Sequence, residues 1–83
     1  MYRIVIDRRA VKEIEALPDQ ILQNVWDRIE ALKGIPRPHD VKKLIGQDGW
    51  RIRISTYRVL YTIDDKHKLI TIYRVKHRKD VYR

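Results

Sequence analysis

The spacing of apolar residues changes its period part-way along this chain of 83 residues. Up to Leu32, apolar residues recur three or four positions apart, which is typical of helices that bury one face. At residues 50–55 they alternate with polar residues, and residues 57–63 are rich in β-branched and aromatic residues, both of which are typical of strands. The chain is therefore expected to pack helices against a sheet that is built largely by its second half.

The first half predicts a short strand followed by two helices. Residues 2–6 have the composition of a strand, and residues 8–17 have helical spacing. Pro18 ends that helix and can occupy the first turn of the next one, which runs to Leu32 and stops at Gly34. Because the break between the two helices is tight, we expect them to form a hairpin.

The second half predicts three consecutive strands after a loop at residues 35–49. The strands cover residues 50–55, 57–63 and 69–75. Consecutive strands joined by short turns form an antiparallel meander. The order β-α-α-β-β-β predicts an α+β fold, a single domain spanning 1–83, in which the helical hairpin packs on one face of a small antiparallel sheet.

Several classes of protein and site are excluded by composition. The chain has no cysteine, which excludes a disulfide framework, a thiolate nucleophile and a cysteine-based zinc site. Its three histidines lack the spacing of a metal site, so no metal or cofactor is expected. No apolar run has the length of a signal peptide core or of a membrane span. We therefore expect a soluble, cytoplasmic protein.

The positive charge lies almost entirely in the second half of the chain. Residues 7–33 carry six acids and five bases, whereas residues 34–83 carry thirteen lysines and arginines against five aspartates. The last glutamate is Glu30. A surface that only maintains solubility usually mixes its charges. The segregation favours a polyanionic partner such as a nucleic acid over an ordinary solvated face.

Two groups of residues could carry chemistry on a nucleic acid. Arg51 and Arg53 are two positions apart, so they project from the same side of their strand. The final residues bring His77, Arg78 and Tyr82 together directly after a strand. Arginine suits the binding of phosphate but cannot act as a general base or acid, whereas an imidazole or a phenol can move protons. Judged from the residues alone, the two strand arginines are equally compatible with the wet face of an amphipathic strand.

Three motifs in this order resemble those of the RelE/ParE superfamily of toxin–antitoxin toxins. They are Leu44-Ile45-Gly46 followed by Trp50-Arg51-Ile52-Arg53, the strand Tyr57-Arg58-Val59-Leu60-Tyr61, and the tail His77-Arg78-Lys79-Asp80-Val81-Tyr82. Toxins similar to RelE are metal-independent endoribonucleases (mRNA interferases) that cleave messenger RNA in the decoding (A) site of the ribosome and inhibit translation. The resemblance implies a catalytic set, which by motif position contains Arg51, Arg53, Arg58, Arg78 and Tyr82.

Proton transfer in the implied site has two candidate residues. Some relatives carry lysines where Arg51 and Arg53 stand, and others use a glutamate, which the basic half of this chain lacks. The remaining candidates are Tyr82, which surrounding cations would favour as a phenolate, and His77, since imidazole is the side chain that most often transfers protons in enzymes. The resemblance favours Tyr82, with His77 as the second candidate.

The resemblance also implies partners and leaves two other functions open. A cognate acidic antitoxin, the ribosome and messenger RNA are the expected partners, with no membrane and no small-molecule cofactor. One alternative is a ParE-like inhibitor of DNA gyrase, although such chains generally lack the histidine, arginine and tyrosine of the tail. The other is an RNA-binding module without catalysis, which would show steep salt dependence and no cleaved product.

Overall fold

The computed structural model describes residues 1–81, with the side chains of residues 1–79. The elements in chain order are β1 (Arg3–Ile6), α1 (Arg8–Glu15), α2 (Asp19–Leu32), β2 (Lys42–Lys43), β3 (Trp50–Ile54), β4 (Tyr57–Asp64), β5 (Leu69–His77) and α3 (Arg78–Val81). The strands form one sheet in the order β1-β5-β4-β3-β2. In the described part of the chain, no helix has the length and apolar content needed to cross a bilayer.

The α+β fold and the order of its main elements are confirmed, and the sheet has two additional features. The meander β3-β4-β5 is antiparallel as predicted, while β1 pairs in parallel with β5, which makes the sheet mixed. The prediction of a continuous loop at residues 35–49 was wrong at Lys42–Lys43, which pair with β3 as a two-residue strand. Two adjacent lysines have no apolar alternation, so periodicity could not indicate this strand.

The core lies between the helical hairpin and one face of the sheet. The sheet contributes residues at alternate positions of its strands, and each helix contributes the apolar residues of the side that faces the sheet. The buried apolar residues include Ile14, Val25, Ile29, Leu32, Ile52, Val59, Tyr61, Ile70 and Ile72. The polar positions that alternate with the buried ones along β3 and β4 therefore point to the opposite face. Of the candidate residues, Arg51, Arg53 and Arg58 lie on the face that carries no core.

Glu13 of α1 accepts hydrogen bonds from residues at the unpaired edge of β5. The pairing of β1 with β5 ends at Ile72, and within residues 1–81 no other strand pairs with the second half of β5 on that side. There the carboxylate of Glu13 accepts a hydrogen bond of 2.8 Å from the backbone N–H of Val75 and two-point bonding from the guanidinium of Arg74, with Nη2 at 2.9 Å. This cluster fixes α1 against the strand that leads into the basic tail.

The loop at residues 35–49 is held to the sheet by polar contacts at its first part. The hydroxyl of Tyr61 donates to the carbonyl of Pro36 at 2.9 Å, and burial raises the pKa of Tyr61 to about 12. Arg37 bonds to Asp65 in the β4–β5 turn at 2.7 Å. This guanidinium, followed by the hydroxyl of Tyr2, lowers the pKa of Asp65 to about 2, so the carboxylate stays charged at ordinary pH.

Gly49 closes the same loop onto β3. Its φ of +126° disfavours any residue with a side chain, and a Cβ there would lie only 3.1 Å from the carbonyl oxygen of Tyr61. The loop therefore returns to the sheet at a fixed point, and β2 is positioned as the strand next to β3.

Candidate functional site

Three cationic residues lie side by side across the sheet. Arg53 of β3 is directly opposite Arg58 of β4, and Arg58 is directly opposite Lys76 of β5. Residues in direct register point to the same face, and the neighbours Ile52 and Ile54 are buried on the other one. Like charges in direct register cost folding free energy. The row Arg53-Arg58-Lys76 therefore concentrates positive charge on the face opposite the core.

A cavity of 170 Å³ lies beside this row at the turn between β3 and β4. Arg53 and Arg58 border it from the two strands, and Arg78 borders it from the start of α3. Arg58 is only 6% exposed, whereas Arg53 and Arg78 are exposed. The rest of the lining comes from Ser55, Thr56 and Tyr57. The size of this space and its three guanidinium groups suit a phosphate group.

The start of α3, which borders the cavity with Arg78, is held in place by a backbone hydrogen bond. The N–H of Arg78 donates a hydrogen bond of 2.6 Å to the carbonyl of Thr56. Ser55, in the tight turn before it, has a left-handed φ of 55°. The turn and the start of α3 are therefore tied together, and Arg78 is held on the same side as Arg53 and Arg58.

Arg51 lies outside the cavity, in the neighbouring row of the same face. It is directly opposite Leu60 of β4 and Lys42 of β2. The sequence prediction placed Arg51 in one set with Arg53, Arg58 and Arg78. The structure brings the last three together and separates Arg51 from them by two positions along β3.

His77 is held in a defined orientation at the end of β5. Its ring packs edge-on against Tyr57, with 5.0 Å between the ring centroids and an interplanar angle of 86°. Its Nδ1 accepts a hydrogen bond of 3.2 Å from the backbone N–H of Lys79. In the neutral imidazole the proton must then reside on Nε2. The Nε2–H of this ring can donate a hydrogen bond. Because His77 is directly opposite Tyr57, it lies on the face of the sheet opposite Arg58 and Lys76, and it is not among the residues that line the cavity.

Tyr82, the predicted proton-transfer residue, lies outside the described residues. Its role stays a prediction from the sequence.

The sequence analysis missed three residues at the site. Lys76 could have been assigned to the open face, because it follows the apolar Val75 in a strand. Its position opposite Arg58 could not, since a register shift at Leu60/Tyr61 changes the pairing with β5. Ser55 and Thr56 line the cavity from a turn, and no periodic pattern marks such residues.

Comparison with known proteins identifies the family. The ParE toxin family of the parDE type II toxin–antitoxin system matches residues 4–82. The chain belongs to the RelE/ParE superfamily. This RelE/ParE toxin is 31% identical over 86 residues to RelE1 of Methanocaldococcus jannaschii, which covers 99% of the chain and 96% of the relative.

Solved structures agree with the assignment of this RelE/ParE toxin. The archaeal RelE–RelB complex of Pyrococcus horikoshii contains a chain that is 34% identical, with a TM-score of 0.84 over 93% of this toxin and 94% of that chain. The RelBE2 toxin–antitoxin complex of Mycobacterium tuberculosis gives 32% identity and a TM-score of 0.81, over 93% of this toxin and 98% of that chain. The protein is therefore a type II toxin of the RelE family.

Proposed function

We propose that this toxin is a ribosome-dependent endoribonuclease that cuts messenger RNA in the decoding site and thereby inhibits translation. The observation that carries the proposal is the cavity where Arg53, Arg58 and Arg78 meet. The concentration of positive charge in the second half of the chain provides the attraction to RNA.

In the proposed reaction, the 2′-hydroxyl of the substrate attacks the adjacent phosphorus. The 2′-oxygen bond to phosphorus forms and the 5′-oxygen bond breaks, which leaves a 2′,3′-cyclic phosphate and a 5′-hydroxyl. The proton of the 2′-hydroxyl goes to a base, and a second proton reaches the leaving 5′-oxygen. The guanidinium groups stabilise the additional negative charge of the phosphorane, so we assign this role to Arg53, Arg58 and Arg78 and propose that the reaction needs no metal ion.

Proton transfer falls to Tyr82 and His77 in this proposal. His77 is the second candidate on the strength of its imidazole, and its ring lies on the face of the sheet opposite Arg58, beside Tyr57. Tyr82 remains the first candidate for the base on the strength of the tail motif.

An acidic antitoxin is the proposed partner in the resting state. Two of the similar structures, from P. horikoshii and M. tuberculosis, are toxin–antitoxin complexes. A partner segment rich in aspartate and glutamate would neutralise the basic face of this toxin and block access of RNA. We propose that the toxin acts in the cytoplasm, where its ribosomal target is found.

Toeprinting on ribosomes programmed with a defined messenger tests the proposed activity. The wild type should produce a new messenger end within the decoding site. Tyr82→Phe and His77→Ala should each reduce its yield, because each removes a proposed proton-transfer group. Full cleavage by both variants would overturn their assignment. Wild-type binding with a steep salt dependence and no new end would indicate an RNA-binding module instead.

Inhibition of DNA gyrase is the second candidate function. The observation that favours it is the match to the ParE toxin family over residues 4–82. A supercoiling assay with purified gyrase separates the two functions. Inhibition of supercoiling at toxin concentrations that leave programmed ribosomes intact would replace the ribonuclease proposal.

A further inference from the structure

A second group of cations lies next to the cavity on the same face. Lys42 of β2 is directly opposite Arg51 of β3, and Arg51 is directly opposite Leu60 of β4. Arg51 and Arg53 are two positions apart in one strand, so the two rows share a face. The predicted catalytic set did not include Lys42, which the sequence analysis assigned to a loop.

Lys42 is held at this position by the contacts of its own segment. Asp40, two residues earlier, bonds to Arg28 of α2 with a distance of 2.8 Å. Val41 is buried, with 8% exposure, and the N–H of Leu44 donates to the carbonyl of Gly49 at 3.0 Å. The chain is thus fixed on both sides of Lys42, whose own side chain is exposed.

Lys43, the next residue, points to the other face of the sheet. Lys43 is opposite Trp50, and its Nζ lies 5.7 Å from the centre of the indole ring. Consecutive residues of a strand point to opposite faces, so Lys43 does not share the face of Lys42 and Arg51. The two lysines have the same charge, strand and exposure class and differ in the face that they occupy.

The distance between the two rows along β3 is similar to the distance between consecutive phosphates of a nucleic-acid strand. Two residues of an antiparallel strand cover roughly 6.8 Å, which is comparable to the separation of consecutive phosphates in an extended RNA strand. We infer that Lys42 and Arg51 form a second phosphate subsite, one nucleotide from the cleavage cavity, and that the substrate strand runs along β3. This inference rests on the proposed ribonuclease function and changes the role of Arg51 from catalysis to substrate positioning.

The subsite is tested by combining protein variants with a modified messenger on programmed ribosomes. A methylphosphonate group, which is uncharged, replaces either the phosphate before or the phosphate after the cut linkage. Lys42→Ala should lower the single-turnover cleavage rate at subsaturating toxin about threefold to tenfold, and the methylphosphonate on one of the two sides should do the same. Lys42→Ala combined with that methylphosphonate should lower the cleavage rate no further than either change alone, because both remove the same contact. Lys43→Ala should cleave like the wild type.

The outcomes separate this inference from the function on which it rests. Fully additive losses with both modified messengers would show that Lys42 acts elsewhere, for example on ribosomal RNA, and would overturn the subsite. Equal effects of Lys42→Ala and Lys43→Ala would overturn it as well. Absence of cleavage by the wild type on the unmodified messenger would remove the proposed function, and the subsite with it.

Discussion

Replacement of Arg58 with alanine is expected to slow cleavage of ribosome-bound messenger by about 10²–10³-fold, which is the usual cost of removing one preorganised donor from a transition state. Arg58 stands in the centre of the cationic row, and its burial at 6% exposure restricts the motion of its guanidinium. Single-turnover measurements at saturating toxin report this loss directly. Arg58→Lys should recover only part of the rate, since an ammonium group cannot form the planar two-point contact.

Two further variants keep this test independent of folding. Arg78→Ala removes an exposed side chain of the same cavity and should also lower the rate strongly, with little change in the thermal unfolding midpoint. Arg3→Ala removes one positive charge from β1, which lies beside Leu69 at the other end of β5 from Lys76, and should cleave normally. Wild-type rates for both cavity variants would show that the cavity is not the active site.

Glu13→Ala is expected to produce a large loss of stability, about 2–3 kcal/mol in the free energy of unfolding. The change leaves the N–H of Val75 without its acceptor and removes the carboxylate from the guanidinium of Arg74, with which it now makes bonds of 2.9–3.1 Å. Because β1 does not extend along this part of β5, none of the strands that the structure describes offers a replacement acceptor. Urea unfolding followed by circular dichroism measures the difference.

A matched variant separates the hydrogen bond that Glu13 accepts from Val75 from its ion pair with Arg74. Glu13→Gln retains an oxygen that can accept from Val75 but loses the charge that holds Arg74, so it should lie between the wild type and Glu13→Ala. A loss below about 0.5 kcal/mol for Glu13→Ala, within the range of ordinary surface changes, would mean that this cluster does not stabilise the edge of β5.

The main architecture could be predicted because its elements have clear periodicity. The stripe that includes Val25 and Ile29 indicated α2, and the alternation of Ile52 and Ile54 with arginines indicated both β3 and its two faces. These patterns follow from the burial of one side of each element. The same alternation correctly predicts that Arg51 and Arg53 share the face opposite the core.

These patterns do not predict which residues of neighbouring strands lie opposite each other. Alternation gives the face of a residue but not its neighbour on the next strand, and the register shift at Leu60/Tyr61 determines that Lys76 lies beside Arg58. The resemblance to RelE-like toxins grouped Arg51 with the cavity residues, whereas the strand pairing places it in the row of Lys42. Tyr82 stays a prediction, since it lies beyond the residues that the structure describes.

The most direct test of the central proposal uses a single change in the messenger. Programmed ribosomes are prepared with either an all-ribose messenger or one that carries a 2′-deoxynucleotide immediately before the cut linkage. If the phosphate is bound by Arg53, Arg58 and Arg78 while the 2′-hydroxyl attacks it, the deoxy messenger should bind the toxin normally and remain intact at that position. Cleavage of the deoxy messenger at the wild-type rate would contradict the account.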